Sequence, residues 1–352
     1  GPQHRTALWV IPVGALAGVA RHALDVAAAG VPGWELAFLC PPGPLAGALR
    51  ARGARVHEAP FGPDHGLPAS VRSLRRSISE VHPAVVHTHL SYADIVAALA
   101  TPRRVRLVTT EHGIAADDLV YHRSSRKARV MAQVHRQRFR RVDAAIAVSE
   151  ATAVAMRTKW GVTVPIQVVR NGVDRQPREA RARAGLRVLS LARLAPEKRI
   201  PDLLRSFALV LESHPDATLT VAGVGDLDAS LVRLAGDLGL DHRLSFPGFV
   251  DPGPALAGAD VVAMLSVWEN CSYTLLDAAA AGLGVVASPV GGNPEILPLR
   301  CLANPDDHRA VAAALVRQGR NLAQRPILAD WPSVASMCAS IGGVYDGDGR
   351  RP

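Results

Sequence analysis

Along almost the whole chain, short apolar runs alternate with stretches in which apolar residues recur three and four positions apart. The runs at Leu8–Val13, Leu36–Cys40, Ala84–His87, Leu107–Thr110, Ala144–Val148 and Ile166–Val169 read as strands of one sheet. Those at Val188–Ala192, Thr218–Ala222, Leu244–Phe246, Val261–Leu265, Gly284–Ala287 and Cys301–Ala303 read as strands of a second. The segments between them, such as IPDLLRSFALVLES at 200–213, carry the helical period. Regular strand–helix alternation predicts an α/β protein with two doubly wound, mainly parallel sheets. Ligands in such sheets lie at the carboxyl ends of the strands.

A chain of 352 residues exceeds what one core usually serves. The polar stretch DRQPREARARAG (174–185) marks the division. The expectation is a first domain over 1–174, a linker over 175–185, a second domain over 186–330, and a C-terminal helix over about 331–347. Gly342 and Gly343 weaken the end of that helix.

The polar residues where the apolar runs stop carry the chemistry. RVLSLARL ends in Arg193 and is followed by Lys198 at the start of a helical pattern. Two fixed cations beside helix-start N–H groups suit a pyrophosphate. The chain uses lysine three times against 37 arginines, so a lysine at 198 stands out. An exposed helix-start cation remains open for it. Glu269 follows the run ADVVAMLS, and Asp277 comes eight positions later in a helical segment, which the pattern places about two turns in. Carboxylates accept paired hydrogen bonds of the kind vicinal hydroxyls donate. These two suit a sugar and a ribose on either side of a diphosphate, although Asp277 taken singly also reads as an exposed helix carboxylate.

Taken as an ordered set, the motifs resemble those of the retaining glycosyltransferases of family 4, which have the GT-B architecture of two Rossmann-like domains facing a cleft. The set includes AGVARHALDVA (17–27), PAVVHTHLSYADIVAALA (83–100), VTTEHG (108–113), AAIAVSEAT (144–152) and VVRNGVD (168–174). It continues with ARLAPEKR (192–199), TVAGVGD (220–226), FPGFV (246–250), the Glu269–Asp277 pair and GLGVVASPVGGNPEIL (282–297).

The resemblance implies sugar transfer from a nucleotide diphosphate-sugar, with UDP or GDP, to a hydroxyl acceptor such as a natural product or an envelope glycolipid or polysaccharide. It implies Arg193 and Lys198 on the leaving diphosphate, with the backbone of Asn270, Cys271, Ser272, Tyr273, Thr274 and Leu275 around it. Glu269 would hold the donor sugar, Asp277 the ribose, and Gly248 and Phe249 the base. From the first domain, His112 would meet the sugar and Gly18 the donor, with Arg21, His22 and His89 on the acceptor side. Retention by same-face attack lets a leaving-group oxygen take the acceptor proton, so no protein base is assigned, and neither a metal nor any other cofactor is expected.

Three departures stand out. Asp277 replaces the family's usual Glu, Ala17-Gly18 replaces a glycine pair, and Lys198-Arg199 replaces Lys-Gly. None removes an ionisable group. A GT-B sugar-nucleotide epimerase and a silent nucleotide-sugar-binding subunit are the rival readings.

Charge narrows the partners. Residues 1–171 carry 22 basic and 11 acidic side chains, the remainder 18 and 20, for the overall +9. The excess gathers in YHRSSRKARVMAQVHRQRFRR (121–141), which reads as a solvated helix or as a surface for an anionic acceptor or membrane face. No aromatic platform accompanies it, so nucleic acid is not expected. The histidines His87 and His89 form an H-x-H with no third metal ligand evident, and both read as more structural than catalytic. Four scattered cysteines fit a reducing cytoplasm, and the Ala/Gly/Arg bias fits a GC-rich, actinobacterial source. No apolar run reaches the length of a membrane span.

Overall fold

The computed structural model describes residues 4–16, 18–113, 125–175 and 183–347. Ala17, the first part of the basic segment 121–141 and most of the expected linker lie outside the described residues. The chain divides into two compact units, Gly1–Gly172 with Pro332–Pro352, and Val173–Trp331.

Among the described residues the first unit holds seven parallel strands: β1 (Arg5–Val10), β2 (Trp34–Cys40), β3 (Arg55–Glu58), β4 (Val85–His89), β5 (Arg106–Glu111), β6 (Ala144–Ala147) and β7 (Ile166–Val168). Their order is β3-β2-β1-β4-β5-β6-β7. Alternation along the strands feeds two cores. Leu8, Val10, Ala37 and Leu39 pack with Leu74, Val96, Phe139 and Met156 from helices on one face. Ala7, Trp9 and Phe38 pack with Ala23, Leu45 and Ile341 on the other. Ile341 belongs to the last helix, Val334–Asp346, by which the chain rejoins this unit. Burial on both faces is why the strands read as continuous apolar runs.

The second unit has β8 (Arg187–Leu191), β9 (Thr218–Ala222), β10 (Leu244–Gly248), β11 (Val261–Met264) and β12 (Gly284–Ala287), in the order β10-β9-β8-β11-β12. Both sheets are parallel and doubly wound. Two expectations need correction. The edge strand β3 was not expected, because RVHE offers only Val56 as an apolar residue. The strand expected at 301–303 is a single bridge, Ala287 to Leu302, that follows a tight 3-10 turn over Leu299–Cys301.

Asp260 locks the base of the second sheet. Its Oδ2 accepts from the backbone N–H of Arg187 at 2.9 Å and from Arg187 Nε at 3.0 Å, and its Oδ1 accepts from Nη2 at 2.9 Å. Burial alone would raise this carboxyl, but the Arg187 bonds outweigh it and hold the pKa below its usual value. A depressed folded pKa contributes stability above the unfolded value, about 3.9, and that contribution disappears as pH falls through the folded value. Asp260→Asn should therefore lower stability at pH 7, and urea unfolding should show its gap from the parent narrowing below about pH 4. A gap unchanged down to pH 3 would show that the charge is irrelevant.

Candidate active site

In the second sheet the strand order reverses between β8 and β11, so a crevice opens beyond the carboxyl ends of these two strands. Backbone hydrogen bonds tie the loops there into one floor. Leu194 N–H donates to Val224 O at 2.9 Å, Gly223 N–H to Gly248 O at 2.8 Å, Val267 N–H to Glu197 O at 2.8 Å, and Gly292 N–H to Glu269 O at 3.0 Å. Each bond joins the loop after one strand to the loop after, or the last residue of, a neighbour. The contacts are so close that a Cβ on Gly223 would sit 1.8 Å from Ala192 O, and one on Gly291 1.9 Å from Glu269 O. This is the physical reason for glycine in TVAGVGD and PVGGN.

Over this floor the structure brings Lys198 and Glu269 together. Lys198 Nζ donates to Glu269 Oε1 at 2.8 Å, with both side chains mostly buried. Arg193 is directed elsewhere: its exposed guanidinium pairs with Glu197 at 3.0 Å. Arg199, where the resemblance expects glycine, adopts the left-handed conformation at φ 52°. That geometry costs a non-glycine residue about 1–2 kcal/mol. Its side chain pairs with Asp202 and Asp306.

The helix Tyr273–Ala280 begins beside Glu269. Ser272 caps it, its Oγ accepting from Leu275 N–H at 3.2 Å, so that N–H already has a partner. Asp277 is the helix's fifth residue, just over one turn in rather than two. Asn270 and Cys271 are buried, and Asn270 Oδ1 accepts from Trp268 Nε1 at 3.2 Å. Gly248 turns the chain at φ 77° and leaves Phe249 82% exposed. Such exposure of a large aromatic ring suits a stacking platform.

The first unit gathers histidines at its own reversal, between β1 and β4. His89 ends β4, His112 follows β5, and His22 lies in the helix Ala20–Ala29. His89 Nδ1 and His112 Nε2 share a hydrogen bond of 2.8 Å. His22 stacks on Trp9 and meets His112 edge-on with ring centres 4.8 Å apart. His22 and His89 are buried, and His112 is partly exposed. Burial pushes the pKa of His22 down to about 4 and those of His89 and His112 well below the usual value, with the neighbouring histidines adding to the shift in the latter two. Arg21 is exposed and pairs with Asp25 at 3.0 Å. Gly18 adopts φ 60°, and open space surrounds its Cβ position.

His87 does not join this group. The Trp9 indole can only donate, so the 2.8 Å bond to Tyr345 makes the phenol oxygen the acceptor. The phenol hydrogen then points to His87 Nδ1 at 2.5 Å, and His87 Nε2–H donates to Thr110 Oγ1 at 2.6 Å. Neither Trp9 nor Tyr345 was singled out from the sequence, because the two lie at opposite ends of the chain. Tyr345→Phe should cost about 2–6 kcal/mol in urea unfolding, since two buried polar groups each lose a partner at about 1–3 kcal/mol. A loss under 0.5 kcal/mol would mean that the bonds are not formed.

The basic segment also hides a charge. Arg138 is 2% exposed. It donates to Asp94 Oδ2 at 2.5 Å and to Glu111 Oε2 at 3.0 Å. Thr88 and Thr109 donate to Asp94 Oδ1. Arg126, Arg129, Arg136 and Arg140 remain exposed.

Comparison with known proteins defines the family. Residues 16–176 match the model of Glycosyltransferase Family 4, and residues 185–321 that of Glycosyl transferases group 1. Glycogen synthase of Mycobacterium tuberculosis is 30% identical over 284 residues, which is 74% of this chain and 68% of that protein. An uncharacterized glycosyltransferase of Methanocaldococcus jannaschii is 41% identical over 114 residues, 31% of this chain and 29% of that one. Among solved structures, sucrose-phosphate synthase from Thermosynechococcus elongatus superposes with a TM-score of 0.76 at 19% identity, covering 97% of this chain and 99% of that one. Anabaena HepE in complex with UDP-glucose gives 0.74 at 20%, covering 97% and 95%. The two parallel-sheet units thus have the GT-B fold. The chain belongs to glycosyltransferase family 4. No helix among the described residues is long and apolar enough to cross a membrane.

Proposed function

We propose that this chain transfers a sugar from a nucleotide diphosphate-sugar to a hydroxyl acceptor with retention of anomeric configuration. The observation that carries this reading is the Lys198–Glu269 pair at 2.8 Å over the β8/β11 crevice. It supplies a cation for a leaving diphosphate beside a carboxylate for sugar hydroxyls. In the transfer, the bond from the anomeric carbon to the diphosphate breaks with its electron pair on the diphosphate. The acceptor oxygen bonds on the same face, and its proton passes to a diphosphate oxygen. Lys198 stabilises the departing charge, joined by Arg193 once it leaves Glu197. The start of the helix Tyr273–Ala280 adds its dipole. Glu269 orients the sugar, Asp277 the ribose, and Gly248 with Phe249 flanks the base. His112 contacts the sugar or acceptor, with the buried His89 and His22 fixing its ring. UDP-sugars are the donors to test first, since HepE is seen with UDP-glucose, and GDP-sugars next. The exposed arginines of the helix Ser125–Phe139 offer a surface to an anionic acceptor or lipid headgroup.

Titration calorimetry separates the carboxylates. Glu269→Gln should abolish most sugar transfer yet leave nucleoside diphosphate affinity nearly intact. Asp277→Ala should weaken the nucleoside diphosphate itself by roughly 10-fold, the loss of about 1.4 kcal/mol of hydrogen bonding. The opposite pattern would reverse which carboxylate grips which part.

A further inference from the structure

We propose that His22, His89 and His112 form a binding site for one borderline divalent cation, of the Zn(II) class, with a fourth position open. The sequence offered only an H-x-H with no third ligand. The fold supplies the set differently: His87 is taken by Tyr345 and Thr110, while His89 meets the imidazoles of His22 and His112 from other elements. One ligand-capable nitrogen from each of His22, His89 and His112 lies within 4.8 Å of the others.

Three arguments favour a metal over a merely packed cluster. First, the chemistry matches: three imidazoles with no thiolate and no carboxylate is the ligand set of a three-histidine zinc site, which keeps one position for water or a substrate oxygen. Second, His89 Nε2 is buried with no hydrogen-bond partner among the described residues. A buried ring nitrogen left without a partner costs about 1–3 kcal/mol, and a metal bond or a hydrogen bond accompanying ligation removes that cost. Third, stacking holds the rings close to one another. Trp9 stacks on both His22 and His89, and its own N–H is fixed by Tyr345. Metal–nitrogen bonds of about 2.05 Å at tetrahedral angles put the nitrogens about 3.4 Å apart. Reaching that spacing, from separations of up to 4.8 Å across the set, needs ring shifts on the order of 1 Å, and ligation through His89 Nδ1 and His112 Nε2 would open their 2.8 Å hydrogen bond and replace it with metal bonds.

One consequence rests on the function proposed above. His112 is assigned there to the sugar or acceptor, so an ion at the triad would occupy that ring, and metal and glycosyl substrate would exclude each other.

The test uses chelator-treated full-length protein without nucleotide. Co(II) is added and the visible spectrum recorded, and Zn(II) is titrated against a chromophoric indicator. The proposal expects one ion per chain and the intense visible bands of tetrahedral Co(II). It also expects more than about 100-fold weaker binding in both His22→Gln and His112→Ala, since even outer-shell changes cost 10–100-fold. Circular dichroism verifies folding, and using two variants protects against one that misfolds. Absence of stoichiometric binding overturns the site, as does binding retained in both folded variants. Because no nucleotide is present, this outcome is independent of the transferase reading, whose failure would appear instead as absent nucleoside diphosphate binding.

Discussion

Lys198→Ala should lower kcat by roughly 10²–10³, the usual loss for one donor aimed at transition-state charge, or about 2.7–4 kcal/mol. The argument is electrostatic. Lys198 sits in a mostly buried pair with Glu269, at the mouth of a parallel sheet and beside a helix start. Low local dielectric magnifies its field on a leaving diphosphate. The loss should fall on kcat more than on nucleotide affinity, because the charge on the bridging oxygen grows as the bond opens. Lys198→Arg should recover only part, since a planar guanidinium cannot place a point charge in the same spot. Steady-state kinetics with a verified donor decide the matter, and near-native turnover in Lys198→Ala would remove Lys198 from the leaving group.

Arg138→Met should destabilise the first unit by about 3–5 kcal/mol, the cost of breaking a buried pair from one side. Asp94 and Glu111 would both lose the guanidinium, and Asp94 would keep only the hydroxyls of Thr88 and Thr109. Burial already pushes the Asp94 pKa up against the lowering effect of Arg138, so removing Arg138 should raise it further and leave the buried carboxyl without its charge partner. The double variant Arg138→Met/Asp94→Asn should therefore be more stable than the single one. Denaturant unfolding measures both. A loss below 1 kcal/mol would mean that the network is solvated rather than internal. The loss is large against typical stabilities of 5–15 kcal/mol.

These two residues differ in how far the sequence exposes them. Lys198 was legible because it is one of only three lysines in an arginine-rich chain and follows an apolar run. Glu269 was legible for a similar reason, in the turn after β11. Arg138 sat in a segment with basic residues on several faces, and nothing local shows that its partners come from Asp94 and Glu111. Long-range polar contacts escape period-based reading in general. Trp9 and Tyr345 show the same limit: each looks like ordinary core or helix, and only the fold sets them around His87; His22 was singled out for an acceptor, but its place beside His89 and His112 was not legible. Strands buried on both faces announced themselves as apolar runs, whereas the edge strand β3, with polar residues at both ends, did not. Asp277 was placed on a helix, but the helix begins later than the apolar pattern implied, because Ser272 caps it. The left-handed Arg199 shows that a departure from Lys-Gly keeps the glycine-like backbone and adds two ion pairs.

The central claim is a nucleotide diphosphate site over the carboxyl ends of β8 and β11. It is tested most directly by thermal unfolding of the parent and Asp277→Ala against UDP, GDP, ADP, CDP and dTDP. The account predicts that one nucleoside diphosphate stabilises the parent, by about 2.7 kcal/mol at 100 times its Kd, and stabilises Asp277→Ala markedly less. If none of the five stabilises the folded parent at millimolar concentration, or if both proteins respond equally, the site is not where this account puts it.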